Sequence, residues 1–173
     1  MDLGLKPISF EPLVRDDIEI LVLGTLPGKK SLELGQYYGH SRNRIWKILS
    51  TITGDDLPTN YEEKKQILFD NKIGLWDVAQ SANRKGSLDV NIKDEIPNNI
   101  DQLILICGSI RVIGFNGKKA EKLFYKYFSK KSGIKYISLP STSPANMAIS
   151  FEDICDRWSE LFITNRKKRV KKC

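Results

Sequence analysis

The chain has 173 residues, 40% of them hydrophobic, enough for one domain that buries a core without metal or disulfide staples. It holds no membrane-length apolar run and no basic-then-apolar leader, so the expected setting is cytoplasmic and nucleoid-associated, or nuclear in a eukaryote, with no membrane partner. The net charge is +7, and the scattered Cys107, Cys155 and Cys173, without a Cys-x-x-Cys pair, exclude a zinc ribbon and a four-cysteine iron–sulfur site.

In chain order, the first apolar run, 18–23, reads as a buried strand that breaks at Gly24-Thr25-Leu26-Pro27-Gly28. A helix is expected over 41–50, with Ser41 as its N-cap, Asn43 in its first turn and Ile45, Trp46, Ile48 and Leu49 on one face. A second helix is expected over 61–71, followed by a strand over 73–78. Polar loops are expected at 83–87 and 91–99, then a strand over 103–107 that ends at a buried Cys107. A helix over 118–128, a strand over 136–139 and a helix over 151–162 complete the pattern, the last with Glu152 and Asp153 at its positive end.

Apolar strands without clean alternation, separated by helices, imply a parallel sheet covered on both faces. The expected fold is α/β: three α/β/α layers around a central, mostly parallel four-stranded sheet. It forms a single domain over 1–165 with a basic tail over 166–173. The tail (Arg166, Lys167, Lys168, Arg169, Lys171, Lys172) holds six of the 28 basic residues and no acid, leaving 22 basic against 21 acidic residues elsewhere. Such a run is a solvated arm, a nuclear-targeting signal or a nucleic-acid tether that works by counterion release.

Three segments carry candidate chemistry. GTLPGKKS lacks the spacing of a phosphate-binding P-loop, because three residues rather than four separate its glycines, and Pro27 removes a backbone donor. QYYGH places two tyrosines and the only histidine just before a helix, either as packing or as a ring that stacks on a ligand base. LPSTSPANM follows a strand end. It reads as a plain turn or as a rigid loop whose hydroxyls and amides grip phosphates.

Together VLGTLPG, QYYGHSRNRIWKIL and LPSTSPAN, in order over about residues 18–147, resemble the uracil-DNA glycosylase superfamily. Within it they are most similar to the hypoxanthine-DNA (deoxyinosine) glycosylase branch. GLWDV and GSLD also fit that branch and would line or brace its pocket.

The resemblance implies that Thr25, Leu26, Pro27 and Gly28 form the water-handling loop, that Tyr38 stacks on the flipped base, and that His40 and Trp76 help to hold it. Ser141, Thr142, Ser143, Pro144, Ala145, Asn146 and Met147 would pinch the DNA backbone. Leu26 stands where most of the superfamily carries the Asp or Asn that positions water, and Ser141 where its most active uracil enzymes have histidine. The resemblance therefore assigns the catalytic role to Asn43.

The implied activity is a monofunctional DNA N-glycosylase, a base-excision repair enzyme that acts as a monomer on DNA containing deaminated bases, with no metal or other cofactor. A mismatch-specific uracil-DNA glycosylase is the alternative substrate reading. A catalytically weak DNA-binding domain of the same fold and a small-molecule α/β enzyme are the alternatives of other classes.

Overall fold

The computed structural model describes residues 6–88 and 91–169, with side chains described through residue 163. Strand β1 (Ile20–Gly24) is buried along its whole length, as a central parallel strand must be. It pairs in parallel with β2 (Ile73–Asp77) on one side and β5 (Val112–Asn116) on the other, and β5 pairs with β6 (Lys135–Leu139). The order β2-β1-β5-β6 puts a topological switch between β1 and β5, where open α/β sheets bind ligands beyond their carboxyl ends.

Alternation along β1 divides the core in two. Ile20 and Val22 face one apolar cluster with residues of α2 (Ile45–Thr53), α3 (Tyr61–Asp70) and α6 (Phe151–Arg169). Leu21 and Leu23 face another with residues of α4 (Ile100–Ile106) and α5 (Lys118–Tyr127). The sheet therefore lies between two helical layers, as expected.

The expected strand at 103–107 is instead helix α4. Asn99 caps it by accepting the Gln102 N–H, and only Ile100 and Leu103 are buried, three residues apart. Leu105 is 82% exposed, so the run has one buried stripe rather than two buried faces. The missing strand is β5, whose pattern is broken by Gly114. A β-carbon at Gly114 would lie 2.7 Å from Leu161 Cδ2 and 2.9 Å from Leu139 Cδ1, so any side chain there would push these leucines aside.

The two polar loops are largely an antiparallel hairpin, β3 (Ala79–Arg84) and β4 (Ile92–Pro97), whose register shifts hide any alternation. A short helix, α1 (Lys29–Leu34), follows the first glycine-rich loop. Helix α6 continues past the expected end at 162 into the basic run; Asp89 of GSLD and residues 170–173 lie outside the described residues.

Candidate active site

A cleft of about 470 Å³ opens at the carboxyl ends of the sheet, in the size range of small-molecule sites. Its walls bring together Thr25, Leu26, Pro27, Gly28, Tyr38, His40, Asn43 and the loop from Ser141 to Asn146. Two expected residues fall outside this lining. Trp76 points the other way along β2 and donates its indole N–H to Phe10 O (3.0 Å), while Met147 is an exposed side chain beyond the rim.

The first wall is the loop after β1. Val78 N donates to Gly24 O (2.9 Å) and Ala79 N to Thr25 O (3.1 Å), which zips the loop to the exit of β2. Arg84 of the hairpin donates to the carbonyls of Leu26 and Pro27, and Lys29 N donates to Ser87 Oγ (2.9 Å). Leu26 is buried against the α4/α5 side of the core. Its apolar side chain offers no hydrogen bond to water. Thr25 is 3% exposed, and its Oγ1 finds no hydrogen-bond partner among the described residues.

The second wall is the aromatic turn. Tyr37 is core, its hydroxyl donating to Glu11 O (2.7 Å). Burial first, then the charge of Asp77, pushes its pKa far above the usual tyrosine value. Tyr38, like Tyr37, lines the cleft, and it is the less buried of the two. Its φ of 50° is uncommon for a bulky residue and marks a locally strained turn. Trp46 fixes that turn, donating its indole N–H to Tyr38 O (3.2 Å) and meeting the ring edge-on. His40 is exposed at the rim, its Nδ1 accepting the Arg42 N–H (3.1 Å).

Asn43 does not sit in the first turn of a helix, and Ser41 is not the cap. Helix α2 starts at Ile45 after Arg44, which gives no side-chain cap, and Asn43 Oδ1 accepts the Ile45 N–H (3.1 Å) from outside. An amide carbonyl has two acceptor positions, so one remains for a water.

The third wall locks itself. Asn116, at the end of β5, exchanges two 3.0 Å hydrogen bonds with buried Thr142. Asn146 Nδ2 donates to Ser141 O (2.9 Å), and Ser143 N donates to Ser141 Oγ (3.2 Å). Arg44 ties this loop to the Asn43 turn: its backbone N donates to Thr142 O, and its guanidinium to Asn146 O (2.6 Å) and Ile149 O (2.9 Å).

In the sequence, Asp77 falls within GLWDV, expected to line or brace the pocket, with no chemical role for its carboxylate. It is a 5% exposed carboxylate on the cleft wall, opposite Gly24 in the sheet register. A β-carbon at Gly24 would meet Asp77 Oδ1 at 2.7 Å and the Tyr38 hydroxyl at 2.9 Å, so both polar atoms converge over that glycine. Lys29, Lys30, Lys118 and Lys119 also line the cleft, where their charge suits a polyanion. No cluster of metal-ligating side chains occurs among the described residues, and none of their helices is long and apolar enough to cross a membrane.

Comparison with known proteins agrees with this geometry. The family model for the uracil DNA glycosylase superfamily matches residues 11–162. A hypoxanthine DNA glycosylase of Methanosarcina barkeri is 38% identical over 159 residues, covering 91% of this chain and 99% of the relative. One from Methanosarcina acetivorans is 37% identical, covering 82% and 89%. A solution NMR structure from Methanosarcina acetivorans, described as that of a candidate uracil DNA glycosylase, superposes with a TM-score of 0.75 at 33% identity, covering 91% of this chain and 99% of that one. The match spans the strands, the cleft and its three loops, and the chain belongs to the uracil DNA glycosylase superfamily.

Proposed function

We propose that this protein is a monofunctional DNA N-glycosylase that flips a deaminated base, hypoxanthine first among them, out of duplex DNA and hydrolyses its glycosidic bond. The observation that carries this reading is one cleft that gathers an aromatic ring, a partly committed amide and a buried carboxylate beneath a self-locked loop. Relatives named hypoxanthine DNA glycosylase, similar over most of both chains, support the choice of base.

In this mechanism the loop from Ser141 to Asn146 holds the DNA backbone, and a mispaired deaminated base costs least to extrude. Tyr38 stacks on the base, which contributes about 1–3 kcal/mol. Asn43 Oδ1, with one acceptor position on Ile45 N, uses the other to aim a water at C1′. The C1′–N9 bond breaks with its electron pair passing to the base; the water gives its hydroxyl to C1′, and its proton balances the charge of the released base. Asp77 accepts the ring N1–H of hypoxanthine and faces the N1 lone pair of adenine with a second acceptor, which disfavours the normal base. The protein works as a monomer wherever the cell keeps its DNA, and the basic run over 166–173 adds a non-specific tether.

The test is single-turnover base release from duplexes carrying inosine, uracil, thymine or adenine. Hypoxanthine release with adenine left intact supports the reading. Uracil release alone would move the protein to the mismatch-specific uracil enzymes, and DNA binding without any release would mark a binding domain.

A further inference from the structure

The Thr25 side chain is the feature of the cleft that the mechanism above leaves unused. Its backbone is held, with Thr25 O accepting from Ala79 N, and the residue lines the cleft next to Gly24. Yet Oγ1 is buried without a partner among the described residues, an arrangement that costs about 1–3 kcal/mol. Valine has the same shape and would avoid that cost, so the folded protein alone gives no reason for a hydroxyl. A buried group left unsatisfied beside a cleft points to a partner brought by the ligand.

We propose that the Thr25 hydroxyl donates a hydrogen bond to the exocyclic carbonyl oxygen of the flipped base and is thereby a catalytic residue; this rests on the hypoxanthine reading above. Thr25 already lines the cleft, and rotation about χ1 carries its hydroxyl among the three staggered positions without backbone movement. Asp77, a buried carboxylate that also lines the cleft, supplies an acceptor. One donor and one acceptor in the same cleft suit the O6 and N1–H of a 6-oxopurine.

The bond does more than hold the substrate. As C1′–N9 breaks, the electron pair entering the purine spreads onto O6, and a hydrogen bond to an oxygen gaining negative charge strengthens in the transition state. Loss of one such donor in an oxyanion-type site lowers rates by about 10²–10³-fold.

The test compares Thr25→Val and Thr25→Ser with the wild-type protein in single-turnover release of hypoxanthine, with thermal melting of all three. The expected result is a loss of about 100-fold in Thr25→Val, a Thr25→Ser rate within a few-fold of wild type, and a Thr25→Val melting temperature at or above that of wild type. A purely structural threonine would give the reverse, a lower melting temperature with little change in rate. A Thr25→Val rate within twofold of wild type overturns the proposal, as does equal loss in both variants. A wild-type protein that releases no hypoxanthine overturns the substrate reading and this proposal with it; loss of the predicted contrast among active variants overturns this proposal alone.

Discussion

Single atoms set the limits at the residue scale. Gly24 leaves room where Asp77 Oδ1 and the Tyr38 hydroxyl meet, so Gly24→Ala forces one of them aside. The expected outcome is a destabilisation of about 1–3 kcal/mol, read by urea unfolding, with a larger fractional loss of base release. Tyr37 shows the same crowding through its chemistry. Its folded pKa lies above the unfolded one because burial and Asp77 both resist ionisation, so its contribution is complete below about pH 10 and is lost as pH rises further. Tyr37→Phe should flatten the alkaline limb of the stability profile while losing about 1 kcal/mol at neutral pH, the value of its bond to Glu11 O.

At the scale of elements, the cleft is built from three loops held by cross-links, and Arg44 is the link between two of them. Arg44→Met keeps the stem but removes both guanidinium bonds to Asn146 O and Ile149 O. Amide exchange across 141–149 should quicken and DNA affinity should fall, while exchange in β1 stays slow. These links explain what the sequence could and could not disclose. Strands β1, β2 and β6 were legible because buried apolar runs end at Gly, Asp or Pro. Strand β5 was not, since Gly114 interrupts its apolar run and packs against Leu161 of a helix nearly fifty residues away. The hairpin was illegible because Arg84 and bulged pairing hold it, rather than an alternating pattern. In the site, the motifs located Tyr38 and Asn43 but missed how Asn43 is used, since its bond to Ile45 N depends on where α2 begins. Asp77 was expected to line or brace the pocket, and what the sequence could not show is that the sheet register sets its carboxylate over Gly24.

At the scale of the whole molecule, basic side chains line the cleft at the carboxyl ends of the sheet. Among the described residues, four lysines line the cleft alongside a single acidic side chain, and the basic run begins within α6. Affinity for undamaged duplex should fall steeply with salt, and replacing Lys118 or Lys119 by Ala should reduce the log–log slope by about 0.9 for each phosphate no longer neutralised. Such a change weakens all duplexes alike, whereas a change in the cleft alters the choice of base. The central claim is that Asn43 positions the water for release of hypoxanthine. Its most direct test is single-turnover release from an inosine-containing duplex by wild-type protein and Asn43→Ala, with duplex affinity measured in parallel. Rapid release by the wild type is expected, with at least about a 100-fold loss in the variant, the scale of a removed transition-state interaction, and affinity nearly unchanged. Equal rates for the two proteins would contradict that role for Asn43.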